Sequence, residues 1–117
     1  MNKKITLCGS TKFREEFDLV NAWLSLNGHV VYSCAIFGHQ SNINLTDDEK
    51  ETLDQVHKLK ILNSDEIYVI NVDKYIGNST ASEIKYAQDH NMPINYFTYD
   101  YTSIMDFKFG RLKGVVL

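Results

Sequence analysis

At 117 residues the chain has room for a single domain, 1–117, and not for two. With 44% hydrophobic residues it can build an ordinary core, and a net charge of −3 leaves no basic footprint for nucleic acid. No apolar run approaches the roughly 20 residues of a membrane helix, and the one after Lys3 and Lys4 is too short for a signal peptide; the expected setting is cytoplasmic, with no membrane partner.

The first expected element is a strand over "KKITLC", ended by Gly9. Phe13, Phe17, Val20 and Leu24 then recur on one helical face, and Asn27-Gly28 closes that helix with Gly28 in the left-handed cap position. "HVVYSCAIF" reads as the second strand. The polar stretch "GHQSNINL" reads as a loop long enough to carry function, with His39 a candidate to close over a ligand. Thr46-Asp47-Asp48-Glu49 opens a second helix with a capping box and places acids at its positive end. That helix is expected to run to about Asn63 with Leu53, Val56 and Ile61 or Leu62 inward. "DEIYVINV" is a third strand, apolar enough for the middle of a sheet. A third helix is expected from Ser79 or Thr80 to about Asn91, and Pro93 marks the entry to a fourth strand, "INYFTYD". The remainder, "YTSIMDFKFGRLKGVVL", reads as a short helix followed by an apolar tail that packs on the sheet or on a partner.

Strands alternating with helices imply βαβ units and a parallel sheet. The expected fold class is α/β: a Rossmann-like or flavodoxin-like three-layer sandwich with strand order 2-1-3-4 and four or five strands. Ligands bind beyond the carboxyl ends of the strands where such an order reverses, here between strands one and three. The loops at that point are "CGSTK" and "NVDKYIGNST". Topology alone therefore brings Gly9, Ser10, Gly77, Ser79, Thr80 and Glu83 to one cleft.

"CGSTKFR" offers a tight turn, hydroxyls and free N–H groups at a helix start, a cradle for phosphate or carboxylate to which Lys12 and Arg14 add charge. It has neither the Walker A spacing nor GxGxxG, and the plainer reading is that Ser10 or Thr11 caps the helix. Glu83 has two competing readings. Thr80-x-x-Glu83 is a capping box, in which the carboxylate folds back on its own helix start. In the first turn of a helix after an apolar strand, the macrodipole would also hold it ionised, as attack on a sugar anomeric carbon requires. His57 and Asp54 share a face of the second helix and reach the cleft as acid, base or recognition groups, against the alternative of a half-exposed helix histidine. Asp65 and Asp73 flank strand three, with only Asp73 at the cleft end. Cys8 and Cys34 fit no metal spacing and read as reduced, buried thiols, a redox pair being the alternative.

Together, "ITLCGSTKF", "LDQVHKLKILNSDEIYVINV" and "YIGNSTASEIKYA" resemble the nucleoside 2-deoxyribosyltransferase superfamily, which includes 2′-deoxynucleoside 5′-phosphate N-hydrolases. The resemblance covers about residues 4 to 97. It implies N-glycosidic bond cleavage or transfer on a nucleoside or nucleoside 5′-monophosphate, with Glu83 as nucleophile and no metal or organic cofactor. It implies phosphate binding by Gly9, Ser10 and Ser79. It also implies a homodimer in which a serine of a neighbouring subunit, loosely matched by Ser103, completes the site. The chain departs from the family pattern at Thr6, where a tyrosine is expected, and at His57, at or near the place of an aspartate, with Asp54 one turn earlier. A non-catalytic nucleotide-binding or sensor protein on the same fold is the alternative function. A flavodoxin-like redox protein is disfavoured by the missing flavin-phosphate loop and CxxC motif.

Overall fold

Alternation along the two central strands decides the layers. In β1 (Lys4–Gly9), Ile5 and Leu7 point to one face and Thr6 and Cys8 to the other, and all four are buried. In β3 (Glu66–Ile70), Tyr68 and Ile70 join Ile5 and Leu7, while Ile67 and Val69 join Cys8. Such strands are buried on both sides, as a parallel sheet between two helical layers demands. The computed structural model describes residues 2–37 and 43–111, and all pairings of its four-stranded sheet are parallel, in the order β2-β1-β3-β4. This is the expected three-layer architecture and strand order.

The first layer holds α1 (Arg14–Leu26) and α4 (Tyr101–Arg111), whose Phe17, Val20, Leu24 and Ile104 pack with Phe97 against Leu7 and Tyr68. Each such side chain contributes about 1.5–3 kcal/mol through burial. The second layer holds α2 (Asp47–Leu62) and α3 (Asn78–Asp89), and Ile61 and Ala87 close its core over Cys8 and Val69. Gly28 takes the left-handed conformation expected of it, with φ 92°. The Thr46 capping box forms in full: Glu49 N–H donates to Thr46 Oγ1 and Thr46 N–H donates to the Glu49 carboxylate. Among the described residues, no helix is long and apolar enough to cross a membrane.

Three boundaries and one helix face differ from expectation. The first helix is preceded by a 3-10 turn, Thr11–Phe13, so Phe13 stands at the entry of α1 rather than inside it. β2 is only Val30–Tyr32, because its ladder with β1 ends where Tyr32 meets Thr6. Beyond it the Ser33 carbonyl accepts from Lys60 Nζ at 2.8 Å and Phe37 turns edge-on to Phe17, so this apolar run covers the core instead of extending the sheet. β4 is Ile94–Tyr96, ended by turns in which Tyr99 N–H bonds Tyr96 O and Asp100 N–H bonds Phe97 O. In α2 the inward stripe is His57 and Ile61, while Val56 and Leu62 are exposed. The apolar tail expected after α4 and the loop carrying His39 fall in residues 112–117 and 38–42, outside the described residues.

Candidate functional site

Where the strand order reverses, β1 ends in Gly9 beside its partner Ile70. A Cβ on Gly9 would stand 2.9 Å from the Ile70 carbonyl oxygen and 3.2 Å from Phe17 Cε1, so only glycine lets β1, β3 and α1 converge this closely. The chain then turns through Ser10, whose Oγ accepts from Lys12 N–H at 3.4 Å. The plainer expectation, Ser10 as a cap, is thus realised for the 3-10 turn. After β3 the chain passes through Asp73 and Lys74, both with positive φ, before entering α3 at Asn78.

The start of α3 decides between the two readings of Glu83. Its N-cap is Gly77, with no side-chain capping hydrogen bond, so Thr80 already lies inside the first turn and is buried. Glu83 falls in the second turn, too far along the helix to reach back to the cap. The expected Thr80–Glu83 capping box does not form. The first N–H groups of α3 are left for water or a ligand.

A cleft of about 370 Å³ opens here, lined by Gly9, Ser10, Gly77, Ser79, Thr80 and Glu83, the residues that topology was expected to gather. Asp54 and His57 also line it. A second hollow of about 250 Å³ adjoins it across Asp54 and Glu83. Two expected binding residues lie elsewhere. Lys12 Nζ sits 3.6 Å from the centre of the Tyr75 ring, a cation–π contact that turns its charge away from the cleft lining. Ser103 is exposed on α4, in the layer opposite the cleft-forming helices, so within one chain it does not line the cleft. Arg14 lies over the Phe37 ring. Asp65 accepts from Lys4 N–H at the amino-terminal end of the central strands, the end expected of it, while Asp73 sits in the loop after β3 but is not a lining residue.

At the cleft floor, Glu83 keeps 13% of its side chain exposed. Burial, and then the negative charge of Asp54, push its carboxyl from 4.5 up to about 7, against a weaker lowering by a hydrogen bond from the Cys8 thiol. The macrodipole therefore does not keep it firmly ionised: in the second turn desolvation outweighs the dipole. His57 is buried rather than half-exposed. Its Nε2 lies 2.9 Å from the Leu7 carbonyl oxygen, which can only accept, so Nε2 carries the hydrogen. Burial first, and then the Lys60 ammonium, hold His57 below its ordinary value. It is neutral at pH 7, and its 3.8 Å approach to Glu83 is not an ion pair.

Sequence reasoning placed Cys8 in the core but not in the site. Its Sγ lies 3.7 Å from His57 Nε2, and burial followed by the Glu83 charge raise its thiol well above the usual cysteine value. Cys8, His57 and Glu83 form the one group among the described residues whose side chains could converge on a metal ion. The signal for Cys8 was its place: the last side chain on its face of β1 before Gly9. Thr6, on the same face, is fully buried and bonded to Ser64, so the strand-one neighbour of Glu83 is Cys8. Both cysteines are free, Cys8 buried and Cys34 half-buried on the cleft wall. Against protein-family models, curated proteins and solved structures the chain has no match.

Proposed function

We propose that the protein cleaves or transfers at the N-glycosidic bond of a nucleoside or nucleoside 5′-monophosphate, with Glu83 as the nucleophile. The observation that carries this reading is the release of Glu83 from its own helix start: a capping carboxylate would be spent, and this one faces a cleft. The cleft volume falls within the range of about 300–1,000 Å³ common to small-molecule sites. The Gly9-Ser10 turn and the start of α3 at Gly77–Ser79, which has no side-chain cap, suit a phosphate or sugar hydroxyl near Glu83.

The reaction balances as follows. A Glu83 oxygen bonds C1′ as the C1′–N bond breaks, and the electron pair leaves with the base, which takes up a proton. Water, or a second base, then attacks C1′ and frees the carboxylate. Of the two groups expected to assist the departing base, His57 has its Nε2 hydrogen committed to Leu7 O, and Asp54 stands exposed on the cleft wall. Asp54 is therefore the better placed. A homodimer bringing Ser103 of a neighbouring subunit to the cleft belongs to the same proposal.

The test is free base released from a panel of nucleosides and nucleoside monophosphates, compared between wild type and Glu83→Gln. The expected result is release by wild type and its loss by orders of magnitude in the variant. Near wild-type release by Glu83→Gln would end the proposal. A ligand bound and recovered unchanged would establish the non-catalytic alternative.

A further inference from the structure

Cys8, His57 and Glu83 come from three elements, β1, α2 and α3, and meet beneath the cleft floor. One ligand atom from each lies within 4.8 Å of the other two. His57 Nε2 is 3.7 Å from Cys8 Sγ and 3.8 Å from Glu83 Oε2. We propose that these three side chains form a binding site for a zinc-like transition-metal dication, with its fourth coordination position open to the cleft.

Geometry supports this first. A tetrahedral zinc ion, with metal–sulfur near 2.3 Å and metal–nitrogen or –oxygen near 2.0–2.2 Å, holds its ligand atoms roughly 3.3–3.6 Å apart. Two of the separations here, 3.7 and 3.8 Å, are slightly larger, the third lies within 4.8 Å, and closing on an ion requires the His57 ring to turn its Nε2 from the Leu7 carbonyl toward the other two ligands. The donor set supports it next. A thiolate, an imidazole and one carboxylate suit Zn²⁺ or Co²⁺, whereas Mg²⁺ and Ca²⁺ take oxygen ligands. His57 and Glu83 line the open cleft and Cys8 lies buried behind them, so three protein ligands with the cleft on one side match the open kind of zinc site rather than the closed structural kind.

The charge and proton balance also closes. Binding sends the Cys8 thiol proton, and the Glu83 proton where it is carried, to solvent. His57 stays neutral, but its hydrogen moves from Nε2 to Nδ1 and the bond to Leu7 O is given up. One hydrogen bond is exchanged for three coordinate bonds. A dication with two anionic ligands is neutral overall, so the site suits a buried place. No electron changes hands. The metal would occupy the same carboxylate that the glycosyl reaction needs, so the two occupancies exclude each other and the metal acts as an off-switch.

The test uses metal-stripped full-length protein titrated with Co²⁺. The expected result is one equivalent bound, with a thiolate-to-cobalt charge-transfer band, the strong visible bands of a four-coordinate ion, and displacement by Zn²⁺. Cys34→Ser should keep the charge-transfer band. Cys8→Ser should lose it, and His57→Gln and Glu83→Gln should each weaken binding at least tenfold, with circular dichroism confirming that each variant is folded. Absence of the band in the wild type, or its loss in Cys34→Ser, would overturn the proposal even if the Cys8 variant failed to fold. Base release measured in EDTA tests the glycosyl reading alone, so either can fail without the other.

Discussion

Replacing Glu83 by Gln should make the protein more stable, by an amount that depends on pH. The Glu83 carboxyl is 13% exposed and pushed from 4.5 up to about 7, chiefly by burial. Between those values the folded protein holds a proton that the unfolded chain has released. Stability attached to this group is thus fully present below about pH 4.5 and is lost as pH rises through about 7. A gap from 4.5 to about 7, at about 1.4 kcal/mol per tenfold change in proton affinity, makes the full loss about 3 kcal/mol. Gln has nearly the same shape and no charge to bury, so it escapes that loss. The assay is urea unfolding of both proteins from pH 4.5 to 8, with EDTA present so that no metal holds the carboxylate. Other titrating groups are common to both, so the difference isolates position 83. Glu83→Gln should gain on wild type by about 3 kcal/mol across that range, or on the order of 10 °C in Tm at pH 8. A difference that stays flat, or a wild type that gains on the variant as pH rises, would refute the claim that burial rather than the helix dipole governs this carboxylate.

Three further outcomes are expected. With Glu83 as the proposed nucleophile, base release should fall on acidification with an apparent pKa near 7, because only the ionised carboxylate could attack; a pH–rate profile of kcat/KM in EDTA checks this, and a limb near 4.5 would contradict the burial argument. Gly9→Ala should lose about 1–3 kcal/mol, because the added methyl meets the Ile70 backbone and Phe17 at once; equilibrium unfolding measures it, and wild-type stability would show that the strands can part there at no cost. Thr46→Ala should lose about 1 kcal/mol with its capping bond, whereas Thr80→Val should cost under about 0.5 kcal/mol because α3 is not capped by Thr80; equal losses in thermal melts would restore the second capping box.

The layers and strand order were legible because they depend on pattern: alternation in β1 and β3, helical spacing between them, and right-handed crossovers that leave few topologies. The cleft followed from the same pattern, since Gly9 ends β1 and Ser79 and Glu83 lie in the first two turns of the helix that follows β3. What pattern cannot supply is the point at which a chain enters a helix. Thr-x-x-Glu occurs at Thr46 and again at Thr80, and only the first becomes a cap. At Thr80 the chain arrives extended through Gly77 and begins the helix at Asn78, so the same four residues are carried inside it and the carboxylate is turned to the cleft floor. Helix phase is the other hidden quantity. Counting apolar residues set Val56 inward; counting back by fours from the buried Ile61 reaches His57 and then Leu53. That phase sets a histidine, where hydrophobicity would put an aliphatic side chain, against the last inward residue of β1, and the residue there is Cys8. The cluster that distinguishes this site is therefore made by one helix phase and one strand alternation meeting at a reversal of strand order, and none of its three members carries a local motif that announces the other two.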